Sequence, residues 1–296
     1  MRTLIAAEFF KLRKRMMTWV VAGLTVGLIV LLYSVMWSIS TRAGTFLSNS
    51  QRFSYQEVRR GLFLQAGVPF ALAIIAQFGT LLAVILASGA AGSEYAWGTV
   101  RLMATSSSGR LKLISARLIV VCALVAGIVL LAVVAALVYS AVITQLNGGA
   151  DFGFLTVAFV RTQVYAFGRT LLVMAPFVAL AFAAAVIWRS TLAGVGTGLA
   201  VAFLEPLVSG LMRIGGSPWR DIPNYLIDSN RDVILAQNRL PAGLPDFGQA
   251  SARELRNRGA HSVEEAALIL LLYAAAFIAI SFYVYRRRDI TSGSGG

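Results

Sequence analysis

Long apolar runs alternate with short polar intervals along most of this chain. Six of the runs lie near 17–39, 67–91, 118–144, 170–188, 191–212 and 266–285. Each approaches or exceeds the roughly 20 apolar residues that a helix needs to cross a bilayer. The pattern predicts an all-α polytopic membrane protein, with six transmembrane helices in one domain over 17–285. Residues 1–16, MRTLIAAEFFKLRKRM, carry a different period. Ile5, Phe9, Leu12 and Met16 recur at helical spacing, and Glu8, Lys11 and Arg15 share another face. That pattern predicts an amphipathic helix lying in the interface plane with its bases against anionic headgroups. A plainer reading is the positively charged flank of the first span, but the apolar periodicity favours a distinct helix. The first run is too long for a signal-peptide core and has no cleavage pattern behind it, so it reads as a retained helix.

The intervals differ in kind. Residues 40–66 are polar, with Arg52, Arg59 and Arg60 beside Glu57. The interval from Gln145 to Gly168 opens on NGGAD, a turn signal. Only Trp188, Arg189 and Ser190 separate the fourth and fifth runs, which requires a tight hairpin. The longest interval, 213–262, contains Pro218, Pro223, Pro241 and Pro245, four of the seven prolines. Leu226, Val233 and Ile234 can form one apolar face of a short helix there. So split, the segment buries too little to be a domain and reads as an external cap or a partly re-entrant element. Ser262 and Glu265 form a capping box before the sixth run, with Glu264 favouring the same helix start. Residues 286–296 form a basic tail.

Composition supports the membrane assignment: 58% of residues are hydrophobic and only 13% charged. Lys and Arg number 26 against 13 Asp and Glu, a net charge of +13. The distribution of that charge points to lipid headgroups and not to nucleic acid. Lys11, Lys14, Lys112 and the run Arg286, Arg287, Arg288 all fall on the side that holds the termini, where basic residues are densest. Most acids fall on the other side. The bias predicts an N-in, C-in orientation.

Several chemistries are excluded as expectations. None of the three lysines follows a glycine, so no phosphate-binding Gly-Lys-Ser/Thr is present. One histidine and one cysteine, His261 and Cys122, are too few for a metal centre, and His261 reads as a solvated loop residue. No run contains a histidine that could activate a serine, and only one contains a carboxylate, Glu205. The chain is expected to be no enzyme and to hold no cofactor. An unpaired charge in hydrocarbon is costly, so Glu205 should face protein or water. Pro206 follows it and predicts a kink or helix end that opens a vestibule, making Glu205 and Pro206 candidate pathway residues. The alternative is a Glu205 that is protonated or bonded to the freed backbone of a helix. Gly194, Gly196 and Gly198 suit close helix packing.

One polar interval resembles a known motif. In GSEYAWGTVRLMATSSSGR, Gly92 to Arg110, Ser93 can cap a short helix with Glu94 in its first turn. Val100 and Met103 share a face near Tyr95 and Trp97. Arg110 and Arg117 share a face at the base of the third span, from which their stems can snorkel to headgroups. AEFFKLRKRMMTWV, this stretch, FLEPL and FYVYRRRDI resemble the permease subunits of ABC-2-type ABC transporters over nearly the whole chain. The resemblance implies a cytoplasmic coupling helix between spans two and three, about Glu94 to Ala104, that docks on a separate ATPase subunit. Glu94, Tyr95, Trp97, Gly98, Thr99, Arg101, Arg110 and Lys112 would make that contact, flanked by an elbow helix carrying Glu8, Lys11 and Arg15. It also implies a second permease chain, identical or related, with ATP and Mg2+ bound only in the ATPase partners. The resemblance places the protein in a prokaryotic plasma membrane as an exporter, and the apolar spans lean toward a hydrophobic or amphipathic cargo. A non-transporting scaffold or an intramembrane enzyme is the competing reading.

Overall fold

The computed structural model describes residues 1–42, 59, 61–96, 110–149, 152–215, 218–238 and 252–287. Every regular element among them is helical. Six helices are long and apolar enough to cross a membrane, so this is a multi-pass membrane protein. They run Met16–Arg42, Leu64–Ala96 (with a π-helical turn at Ile75–Gly79), Arg110–Leu146, Val157–Trp188, Thr191–Ile214 and Val263–Arg287. Successive spans alternate in direction. One end of the bundle, the termini end, holds Arg15, Gly92 and the Trp188–Thr191 hairpin. The far end holds Leu64, Leu146, Val157 and Ile214.

The two central spans stand out by burial. In their most apolar windows the second and fourth are 72% buried, whereas the fifth and sixth are 11% and 17% buried. Spans two and four are therefore the core, and the others form a sleeve whose large apolar side chains, such as Leu192, Leu211 and Leu271, face outward. In water that surface would be a liability; lipid solvates it. Close approach within the core depends on glycine at two places in particular. A Cβ on Gly92 would lie 2.5 Å from the Thr191 backbone nitrogen, and one on Gly194 would lie 2.8 Å from the Ala181 carbonyl oxygen. Gly198 likewise abuts Val84, but Gly196 has open space, so the expected packing role holds for two of the three glycines.

Helix ends follow the local chemistry. Thr156 accepts from the Phe159 amide to open the fourth span, and Ser190 accepts from the Ala193 amide to open the fifth. Between them Arg189 takes the left-handed conformation (φ 52°), which closes the hairpin in the three residues expected. The Ser262–Glu265 capping box forms in both directions, at 2.9 and 3.3 Å.

Two expectations need correction. The fourth span begins at Val157, not near 170, because Arg161 and Arg169 sit within a continuous helix. The fifth span, expected to reach 212, continues through Pro206 to Ile214, so the helix does not end at the proline. His261 is not a solvated loop residue: it packs edge-on against Tyr225, ring centroids 4.9 Å apart, with Nδ1 3.5 Å from Glu265.

Candidate functional site

At the termini end the N-terminal helix, Arg2–Arg13, packs against the third span, and Met16 already belongs to the first. Its faces are not those that the periodicity suggested. Leu12 and Glu8 are buried, whereas Phe9, Phe10 and Met16 are exposed. The cause is charge pairing. Glu8 lies 3.4 Å from the Arg117 Nε, with Lys11 at 3.9 Å, so the carboxylate enters the protein beside a cation. Arg117 is thus buried in an ion pair rather than extended to headgroups. The phenylalanines are left for lipid, as a membrane-surface helix can allow.

Just after this helix, Arg15 donates to the Gly89 carbonyl at 3.2 Å and to the Ser93 hydroxyl. Ser93, Glu94 and Tyr95 lie in the last turn of the second span, which runs to Ala96. Ser93 therefore does not cap a new helix; the hydrogen-bonded ladder of the span continues past it. Trp97, Gly98, Thr99 and Arg101 lie outside the described residues. Arg110 opens the third helix, and Lys112 one residue beyond Leu111 is exposed. Together these contacts form a clasp: the N-terminal segment binds the ends of the two spans between which residues 97–109 run.

A second polar cluster lies toward the far end. The interval after the fifth span contains a 3-10 turn, Ile222–Tyr225, and a short helix, Ile227–Leu235. Ile227, Val233, Ile234 and Leu235 are buried, so the expected apolar face holds for Val233 and Ile234, whereas Leu226 precedes the helix and is half-buried. This inserted helix has no cap of its own, since Leu226 precedes it. Glu205 of the fifth span supplies one: its Oε1 accepts from the Asp228 amide at 2.9 Å. A carboxylate at a helix N-terminus satisfies an orphan donor and complements the dipole. Of the two earlier readings of Glu205, binding to freed helix backbone is what the structure displays. One turn on, Arg231 donates to the Ala76 carbonyl at 3.0 Å, to the Gln77 side chain and, at 3.5 Å, to Asp228. Ala76 and Gln77 belong to the π-helical turn of the second span, where the Ala76 carbonyl also accepts from the Thr80 hydroxyl at 2.6 Å. Ala76 lies about 18 Å along the span from Leu64, and Glu205 about 14 Å from Ile214, at 1.5 Å per residue. The short helix therefore packs between the spans and not beyond their ends.

Around it, Arg213 donates to Ser229 at 2.8 Å, and Arg258 lies 4.0 Å from Asp232. Asn230 donates to the carbonyls of Asn224 and Leu226, at 2.8 and 2.7 Å. Burial, then the charge of Asp228, pushes the Asp232 carboxyl up to about 7. Burial raises Asp228 as well. The sequence reading found Glu205 but missed Asp228, Arg231, Asp232 and Gln77. The available signal was the i, i+3 pair Asp228–Arg231 in the polar half of a short helix that ends on Val233, Ile234 and Leu235, and a lone glutamine in the second run. Among the described residues no group of three His, Cys, Asp or Glu could hold a metal ion.

A family model described as a protein of unknown function, DUF2705, matches residues 24–291. No curated protein matches the chain.

Proposed function

The chain belongs to the DUF2705 family, described as of unknown function; from the resemblance of its motifs and the geometry above we propose that it is the membrane-spanning permease subunit of an ATP-driven, ABC-2-type transporter. The clasp at the termini end is the observation that supports this reading. A motor acts on a membrane protein only if the element it grips is stiffly joined to helices that move. The two ends that bracket residues 97–109 are so joined, by Glu8–Arg117 and by Arg15 to Gly89 and Ser93. In this reading a separate ATPase subunit, which binds ATP and Mg2+, grips Glu94, Tyr95, Trp97, Gly98, Thr99 and Arg101, with Arg110 and Lys112 at its margin. The elbow helix with Glu8, Lys11 and Arg15 carries the displacement into the second and third spans. Rigid packing around the second and fourth spans converts it to a change of access between two states.

The termini lie in the cytoplasm, where the excess of lysine and arginine belongs. A second permease chain, identical or related, completes the pathway. The cargo is hydrophobic or amphipathic, because the fifth span around Glu205 offers mostly Leu, Val, Ala and Gly. The Glu94→Ala, Trp97→Ala double variant should insert normally, yet lose most permease-stimulated ATP hydrolysis when reconstituted with its ATPase. Full stimulation by the double variant would overturn the docking role. Purification from native membranes without any ATPase would favour the scaffold reading.

A further inference from the structure

At the far end the fourth span stands off its neighbours. Val157 and Val164 are 87% and 63% exposed, whereas Ala166 and Thr170, further along, are buried. A groove of about 560 Å³ opens there between the second, third and fourth spans. Its walls follow the helical repeat. Leu64, Val68 and Leu72 line it from the second span at four-residue intervals, and Leu130, Val133 and Leu137 line it from the third. Val160, Val164 and Phe167 close the remaining side. Among the described residues Gln163 is the one polar member of the lining, and its side-chain oxygen is buried.

Three stripes that follow helix axes make a groove parallel to the spans, the direction in which acyl chains lie. Its mouth is formed by Leu64, where the second span starts, and by Phe154 and Leu155, which precede the fourth. Phe154 packs edge-on against Phe159 there, ring centroids 5.2 Å apart. Leu72 lies about 12 Å in from Leu64, and Phe167 about 15 Å in from Val157, at 1.5 Å per residue. Those depths approach half of a hydrocarbon core about 30 Å thick, the share of one leaflet. An empty groove would forfeit dispersion contacts along its walls, and an apolar lining does not hold water. Leu130, Leu155, Val160 and Val164 are both wall residues and exposed, so the groove is continuous with the surface that lipid covers.

We propose that this groove holds one acyl chain of a phospholipid from the far-end leaflet, as a resident wedge between the third and fourth spans. The headgroup stays at that leaflet's surface, and the chain runs inward past Val68 and Val133 toward Leu72 and Phe167. Apolar helices gain nothing hydrophobic from lipid, so the preference for this place comes from packing. A chain in the groove meets three walls, whereas a chain on one convex helix meets a single wall. The proposal rests on membrane insertion alone and is independent of the transporter reading.

The test places the purified full chain in phosphatidylcholine nanodiscs doped with phosphatidylcholine that carries a diazirine on one acyl chain. In one probe the diazirine is near the glycerol, in a second near mid-chain, and crosslinked residues are mapped by mass spectrometry. The shallow probe should mark Leu64, Phe154 and Leu155, and the mid-chain probe Leu72, Val133 and Phe167. Both sets should be labelled more densely than the exposed Leu24 of the first span and Leu271 of the sixth. Val133→Trp fills the groove and should lower the mid-chain label at Leu72 and Phe167 about tenfold, with Leu24 and Leu271 unchanged. Val164→Trp, at an exposed position, should do the same and keeps the proposal testable if the first variant misfolds. Label no denser in the groove than at Leu24 and Leu271, or label at Leu72 that persists in both folded variants, would overturn the proposal. A reversed depth order would overturn it as well, because the chain would then come from the opposite leaflet.

Discussion

Glu205 has a defined task in the resting fold: one oxygen accepts from the first turn of a helix that has no other cap. That contact separates two consequences of replacing it. Glutamine keeps an acceptor oxygen at the same reach, so Glu205→Gln should leave the melting midpoint of the purified protein close to the native value. Glu205→Leu removes the cap and leaves a buried amide unsatisfied, at a cost of about 1–3 kcal/mol, and should lower the midpoint clearly. If the glutamine variant is stable but transport or substrate-stimulated ATPase changes, the carboxylate acts on cargo beyond its capping role. Two equally unstable variants would remove the capping account. The sequence revealed that Glu205 needed a partner, because a lone acid in an apolar run is costly. It did not reveal which partner. Asp228 is far along the chain, and an amide donor leaves no mark in residue identity. Glu8 illustrates the same limit: helical periodicity grouped it with Lys11 and Arg15, but Arg117, more than a hundred residues on, decided which face turned inward.

The inserted helix is the element whose energetics depend most on solution conditions. Arg231 and Asp228 on the helix, Arg213 from the fifth span and Arg258 from the segment before the sixth all surround Asp232. Its folded pKa of about 7 is above its ordinary value of 3.8. A raised acid binds its proton more tightly in the folded state, so its stabilising effect is complete below the unfolded value. That effect is lost as pH rises toward and through about 7. Asp228 shifts in the same direction. Backbone amides over 227–235 should therefore be better protected at pH 5.5 than at pH 8, once intrinsic exchange rates are divided out. Asp232→Asn should flatten the difference. Protection that grows with pH would mean that the arginines, not burial, govern the site. At this scale the sequence was half legible. Leu226, Val233 and Ile234 marked a helix, of which Leu226 falls just outside, but its position depends on Arg231 reaching the Ala76 carbonyl in a π-helical turn. No residue pattern in AQFGT announces such a turn.

At the scale of the molecule, lipid as solvent is what made six spans readable: every backbone group must be bonded within its own helix, and the apolar runs have to be long. Boundaries failed where charge entered a helix, as at Arg161 and Arg169, because a composition window stops at the first cations while the backbone ladder does not. Burial ranking was not legible at all, since an apolar run looks alike whether it faces protein or acyl chains. An even number of spans has a firm consequence. The segments before residue 16, between 96 and 110 and after 287 must share one side, and those between 42 and 64 and between 146 and 157 the other. In a Cys122→Ser background, single cysteines at Ser107 and Ser292 should react with an impermeant maleimide only after the membrane is opened. Cysteines at Ser48 and Ala150 should react in intact cells. The reversed pattern would keep the six-span fold but turn the bundle over, putting the clasp beyond the reach of any ATP-driven partner. A mixed pattern, with Ser107 and Ser292 on opposite sides, would overturn the six-span topology itself.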